Sequence, residues 1–195
     1  MYAAYEQWEK RAAEAVHNLL EKEKDKILLI AIDGQSGSGK STLAGKLHKQ
    51  YGGNLFHMDD FFLRPEQRTK ERLEEVGGNV DYERFAGVLQ AIRCGEAVPY
   101  RPYDCKSQSL KAEIMMEPSR INMIEGSYSM HPCFGDCYDL KIVLTIDGVN
   151  QQERILHRNG PMMLTRFIEE WIPKENAYLE KFKIYENCDI KIDIV

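Results

Sequence analysis

The chain has 195 residues, 43% hydrophobic and 29% charged, with a formal net charge of -5. These values fit one globular domain with a real core and exclude a disordered chain. The acidic balance argues against a phosphate-tracking surface, and no apolar run approaches the roughly 20 residues that span a bilayer, so neither nucleic acid nor membrane is expected as a partner.

From Tyr2 to about Lys24, the residues Tyr5, Trp8, Ala12, Ala15, Val16, Leu19 and Leu20 recur at helical spacing. Residues 1–25 are therefore expected as a helix packed on, or extending from, a domain over 26–195. The N-terminus lacks an apolar secretory core, which points to the cytoplasm. The five cysteines are odd in number and irregular in spacing, so they read as reduced thiols and not as a zinc site.

The run "ILLIAID" predicts a buried strand, and "GQSGSGKS" follows it. That is the phosphate-loop pattern G-x-x-x-x-G-K-[ST] between a strand and a helix at about 39–50. Gly34, Gly37 and Gly39 allow close backbone approach, and the loop's N–H groups face phosphate oxygens. Lys40 would reach the β- and γ-phosphates, and Ser41 would ligate Mg²⁺. Ser36, Ser38 and Thr42 complete the nucleotide-contacting set. The loop alone does not choose among GTPase, motor and small-molecule kinase. The absence of N-K-x-D argues against the first, and the short chain against the second.

"NLFHMDD" predicts the next strand, with Asp59 and Asp60 at its end. A carboxylate there suits activation of an acceptor hydroxyl, and a helix cap or solvated turn is the alternative. Residues 64–79 read as loop plus a short helix. "DYERFAGVLQAIRCG" reads as a helix stopped by Gly95. Pro99 and Pro102 exclude helix from "AVPYRPYDC", which with "LKAEIMMEP" predicts an extended arm or hairpin. "RINMIEG" and "DLKIVLTID" are two further strands. Glu125 ends the first of them where a Mg²⁺-holding acid belongs, or else lies in a surface turn. Arg154 and Arg158 share a face of the helix "NQQERILHRNG", as a phosphate lid or as a solvated basic face. "TRFIEEWIPKENAYLEKFKIYE" is helical with Pro173 starting or kinking a helix, and "CDIKIDIV" is a last strand. Apolar strands alternating with helices predict an α/β fold, a parallel sheet covered on both faces.

Taken together, "GQSGSGKS", "MDDFF", "PYRPYDC", "IEGSY", "YDLKIVLTID", the "R…R.G" segment and "EEWIPKENAYLEKF" resemble the uridine kinase and phosphoribulokinase family of P-loop kinases. The resemblance implies a P-loop three-layer sandwich with a five-stranded parallel sheet, a small β-hairpin arm and a lid over about 149–165. It implies Asp59 as catalytic base at the metal site and Glu125 as metal-site acid. Tyr103 would pack on a substrate base. Arg154 and Arg158 would be lid arginines, Arg158 acting with Lys40 in catalysis. Asp59, Tyr103 and Arg166 are the substrate-side candidates, and ATP and Mg²⁺ are implied. Gln108 stands near the place of the base-reading histidine of uridine kinases, and Pro161 replaces an arginine after the lid glycine. Arg64, Arg68, Arg84 and Arg101 are spare cations for an acidic acceptor, or surface charges.

The expected function is ATP-dependent transfer of a phosphoryl group to a hydroxyl of a small metabolite, a nucleoside such as uridine or cytidine first. Pantothenate, nicotinamide riboside or a sugar phosphate are alternative acceptors. A non-enzymatic nucleotide-binding module, with the N-terminal helix as its interaction surface, is the other class. Association into a homo-oligomer is left open.

Overall fold

The computed structural model describes residues 2–194, with side chains from residue 7 onward. Tyr5 of the N-terminal periodicity thus has a side chain outside the described residues. The central strand β1 (Leu28–Gly34) is buried along its whole length, as a strand covered on both faces must be. With β2 (Asn54–His57), β7 (Ile121–Glu125), β8 (Leu140–Ile146) and β9 (Ile190–Ile194) it forms one sheet in the order β2-β7-β1-β8-β9. Every pairing in it is parallel. Strands β2 and β7, and β7 and β1, are neighbours in space but not in sequence, so the carboxyl ends of β2, β7 and β1 lie side by side. A binding crevice belongs there in such a sheet.

Alternate residues of β1 point to opposite sides. Leu29 and Ala31 join Phe56, Phe61, Phe85, Ile124, Val143 and Tyr178 in one core layer. Ile30 and Ile32 join Leu43, Leu47, Ile142 and Leu144 in the other. That second layer also contains Trp8, Ala12 and Val16 of α1 (Tyr2–Lys22). The N-terminal helix is therefore packed against the sheet and α2 (Lys40–Tyr51). The Arg11 guanidinium donates to the Lys191 carbonyl at 3.1 Å, and the Tyr51 hydroxyl to the Ala13 carbonyl at 2.8 Å. No helix among the described residues is long and apolar enough to cross a membrane.

The arm consists of two antiparallel pairs. Strand β3 (Val98–Tyr100) pairs with β6 (Ile114–Met116), and β4 (Tyr103–Asp104) with β5 (Ser109–Leu110). Before it come the short α3 (Lys70–Glu74), capped by the Thr69 hydroxyl, and α4 (Tyr82–Cys94), capped by Asp81 and stopped at Gly95. Arg72 organises residues 64–80. It donates to the Gly78 and Val80 carbonyls, pairs with Glu83, and lies 3.6 Å from the Tyr82 ring centre. The sequence between β8 and β9 forms α5 (Gly148–Asn159), capped by Asp147, then α6 (Pro161–Arg166) and α7 (Ile172–Lys181). Between α6 and α7, residues Phe167–Trp171 form a π-turn. The periodicity of that stretch does not announce it. Pro173 sits in the first turn of α7, directly after the π-turn.

His131 is buried and stacked between Tyr82 and Tyr178, with ring centres at 5.5 and 6.1 Å. Its Nδ1 accepts from the Cys133 N–H, and its Nε2 stands 3.4 Å from the Val76 carbonyl. Burial holds its pKa below the ordinary histidine value. A depressed histidine pKa in the fold means that the unfolded chain takes up the proton first as pH falls. The contribution is complete above the unfolded value of about 6.5 and is lost on acidification below it. His57, whose pKa is raised, acts the other way in the same window, so the test is the difference: between pH 7.5 and pH 5.5 the urea midpoint should change less favourably in the wild type than in His131→Phe. Equal changes in both proteins would remove His131 as the cause.

Candidate active site

The phosphate loop leaves β1 at Gly34. A Cβ on that residue would lie 2.0 Å from the Leu144 carbonyl of β8, and its φ is +131°. Only glycine lets the loop start this close to the neighbouring strand. Gly39 caps α2 without a side-chain hydrogen bond, so the first-turn amides of α2 have no protein side chain on them. That is the arrangement an anion needs. Lys40 is buried, and its ammonium donates to the Gly34 and Gln35 carbonyls at 2.8 and 2.9 Å. It is thus held over its own loop. Ser41 and Thr42 are exposed on the first turn of α2, and Ser38 is fully buried.

Ser41 donates from Oγ to Glu125 Oε2 at 3.0 Å, and Glu125 Oε1 stands 2.5 Å from His57 Nδ1. Glu125 is buried at the end of β7, not in a surface turn. It is next to β2 because Gly126 (φ +132°) turns the chain against Met58, where a Cβ would come within 2.8 Å of the Met58 Cβ. The His57 pKa is raised, first by its hydrogen bond to Glu125.

Asp59 and Asp60 follow β2 in a 3-10 turn (Met58–Phe61), and the fold separates them. Asp60 is taken by the scaffold. The Tyr100 hydroxyl donates to its carboxylate, and Arg84 donates to its carbonyl at 2.6 Å. The Asp59 side chain is solvent-accessible and has no hydrogen bond or ion pair among the described residues. Its pKa is raised, first by the crowding of protein around it and next by the Glu125 charge, with Lys40 acting the other way. The Asp59 carboxyl is thus accessible at the carboxyl end of β2 and close enough to Glu125 and Lys40 to feel both charges.

The remaining candidates are placed less uniformly. The Arg154 Nη1 donates to the Gly37 carbonyl at 3.4 Å, so α5 does meet the loop. Arg158, one turn on, does not reach it. Its Nε bonds Asn159, and its guanidinium lies 5.9 Å from the Phe167 ring centre. Arg166 pairs with Glu170 and lies over Trp171. Tyr103 is 4% exposed, and its hydroxyl accepts from Arg68 at 2.8 Å. Its ring is covered, so stacking on a ligand requires that Arg68 or the arm move. Of the spare cations, Arg64 bonds Gln67 and pairs with Glu66, Arg84 braces Asp60 and the arm, and Arg101 reaches the Lys111 carbonyl. Among the described residues, Arg68 bonds the Leu63 carbonyl and Tyr103 and pairs with no carboxylate.

Sequence reasoning did not find four residues. Asp33 is fully buried, accepts from the Gly34 and Met130 N–H groups and from the Tyr178 hydroxyl, and has its pKa raised chiefly by burial. His57, Gln151 and Glu175 also touch the site. Asp33 and His57 are polar residues at the ends of apolar runs, which does not say which way a side chain turns, and Gln151 and Glu175 are polar positions within helices that carry no such signal. The described residues contain no cluster of three or more His, Cys, Asp or Glu placed for a metal ion. Ser41 and Glu125 therefore offer few protein oxygens. That suits Mg²⁺, which keeps waters and takes phosphate oxygens.

The model of the phosphoribulokinase / uridine kinase family matches residues 29–159, from β1 through α5. That span holds the phosphate loop, the Asp59 turn, the arm, Glu125, Arg154 and Arg158. The chain belongs to this family. A uridine kinase of Brevibacillus brevis is 25% identical over 180 residues, covering 84% of each chain. A uridine kinase of Staphylococcus haemolyticus is 26% identical over 178 residues, covering 83% of this chain and 86% of its own. A solved structure described as "a Possible Uridine Kinase from Bacillus stearothermophilus" superposes with a TM-score of 0.73 at 20% identity, covering 97% of this chain and 99% of that one. The last of these is a likeness of fold. The five-stranded parallel sheet with helices on both faces is that of the P-loop kinases. Beyond the family's matched span, α6, the π-turn and α7 still contribute Glu175 to the site.

Proposed function

We propose that this protein is an ATP-dependent, Mg²⁺-requiring kinase that phosphorylates a hydroxyl of a small metabolite, a nucleoside such as uridine or cytidine first. The observation that carries this reading is the free Asp59 carboxyl near the Ser41–Glu125 pair. A nucleotide-binding scaffold has no use for an accessible, unbonded carboxyl with a raised pKa at that position. Lys40 exchanges its loop carbonyls for the β- and γ-phosphate oxygens, and the uncapped amides of α2 hold the phosphates. Mg²⁺ held by Ser41 and Glu125 would supply neutralising charge. Asp59 takes the acceptor's hydroxyl proton as the new O–P bond forms. The β–γ bridging bond breaks, and ADP leaves. Arg154, already at Gly37, is the cation on the lid side.

A second reading of the acceptor follows from Arg68, which pairs with no carboxylate among the described residues and touches Tyr103. It suits an acceptor carrying its own anionic group. The test is ADP release over a panel of uridine, cytidine, nicotinamide riboside, pantothenate and sugar phosphates. Turnover of pyrimidine nucleosides above the rest supports the first reading. Turnover of anionic acceptors alone, lost in Arg68→Ala, supports the second. ATP binding without turnover on any acceptor would return the protein to the class of binding modules.

A further inference from the structure

Ser36 is held from two sides by the segment that carries the lid. Glu175, in the first turn of α7, accepts from the Ser36 N–H at 2.8 Å and from the Ser36 hydroxyl at 2.5 Å. Gln151, in the first turn of α5, donates from Nε2 to the Ser36 carbonyl at 2.9 Å. Every polar group of Ser36 is thus taken by a residue outside its own loop. Both partners are buried, Glu175 at 5% exposure and Gln151 at 2%. They stand at opposite ends of the segment formed by α5, α6 and the π-turn.

The contacts of the Glu175 carboxylate extend further. The Ser127 hydroxyl stands 3.1 Å from both Glu175 Oε1 and the Gly34 carbonyl, and this joins the loop after Glu125 to the same cluster. The π-turn immediately before α7 supplies the phase. One extra residue turns the following helix face by about 100° at 3.6 residues per turn, and such bulges recur at functional sites. Without it Glu175 would face away from Ser36.

We propose that Glu175 and Gln151 are positioning residues that tie both ends of the lid to the phosphate loop through Ser36, so that filling the loop with nucleotide orders the lid. The inference rests on the kinase reading only in needing nucleotide in the loop. The identity of the acceptor does not enter.

Amide hydrogen exchange on the full chain, with and without saturating Mg²⁺ and a non-hydrolysable ATP analogue, is the test. In the wild type, residues 149–172 should slow on saturation. In Glu175→Ala, with nucleotide occupancy checked by calorimetry, slowing over 161–172 should drop below roughly half of the wild-type effect. Glu175→Gln keeps an acceptor for the N–H and a partner for the hydroxyl, and should restore it. Gln151→Ala should lose slowing mainly over 149–159, and it carries the test alone if Glu175→Ala does not fold. A purely structural defect would instead speed exchange in β1 and β7 without nucleotide, and that outcome overturns the proposal. So does wild-type slowing in both alanine variants at saturation. Failure of the wild-type protein to bind nucleotide overturns the kinase reading as well, and it is seen in the calorimetry before any lid signal is read.

Discussion

Asp59→Asn should lower kcat by about 10²–10⁴-fold, with a much smaller change in KM for ATP. Asparagine keeps the size and polarity of the side chain but cannot take a proton. The Asp59 side chain makes no hydrogen bond or ion pair in the fold, so its replacement removes no scaffold contact. Melting temperature should stay level or rise, because the change removes a carboxylate whose charged form is disfavoured near the Glu125 charge. The neighbouring Asp60→Asn is the internal control. It replaces the carboxylate that accepts from Tyr100 with a weaker amide acceptor and should act on stability, with kcat affected less. Steady-state kinetics beside thermal melts separate the two. If Asp59→Asn keeps kcat within a few-fold of wild type, Asp59 is not the base.

Lys40→Ala should reduce kcat/KM by about 10²–10³-fold or more, the usual consequence of removing one preorganised cation from a developing phosphoryl charge. Lys40 spans Gly34 and Gln35 in this structure, so the variant also leaves two loop carbonyls without their donor. Lys40→Arg should not rescue activity, since the planar guanidinium does not substitute for a point charge inside so tight a loop. Single-turnover measurements at saturating ATP would show the loss in the chemical step. A loss confined to KM, with kcat unchanged, would make Lys40 a binding residue only.

Much of the architecture was legible in the sequence because it depends on local signals. "ILLIAID", "INMIE" and "LKIVLTI" are apolar runs of strand length, and each became a buried strand. Gly95 stopped α4, and the prolines kept the arm extended. The phosphate loop is legible for a stronger reason. Its function is performed by backbone groups, and the glycines that free the backbone are visible as letters. The family resemblance carried by the same segments is matched over 29–159.

The candidate site was legible only up to residue type. "MDDFF" offers two adjacent carboxyls, and nothing in the letters separates them. Tyr100 and Arg84 arrive from the arm and from α4 to occupy Asp60, and Asp59 is left accessible. Arg154 and Arg158 look equivalent in "ERILHRNG", yet only the former meets Gly37. Tyr103 reads as an open aromatic platform, whereas Arg68 and the arm cover it.

The sequence by itself determined the strand and helix pattern, the phosphate loop, and the presence of acids at the ends of β2 and β7. Each follows from the order of neighbouring residues and from the period of their hydrophobicity. The tertiary structure decided which acid is free, where Lys40 rests, and that Glu175 and Gln151 grip Ser36. These depend on contacts between residues far apart in the chain, set by sheet order and by one π-turn that shifts a helix face. Periodicity records which residues share a face, but not which distant residue that face will meet.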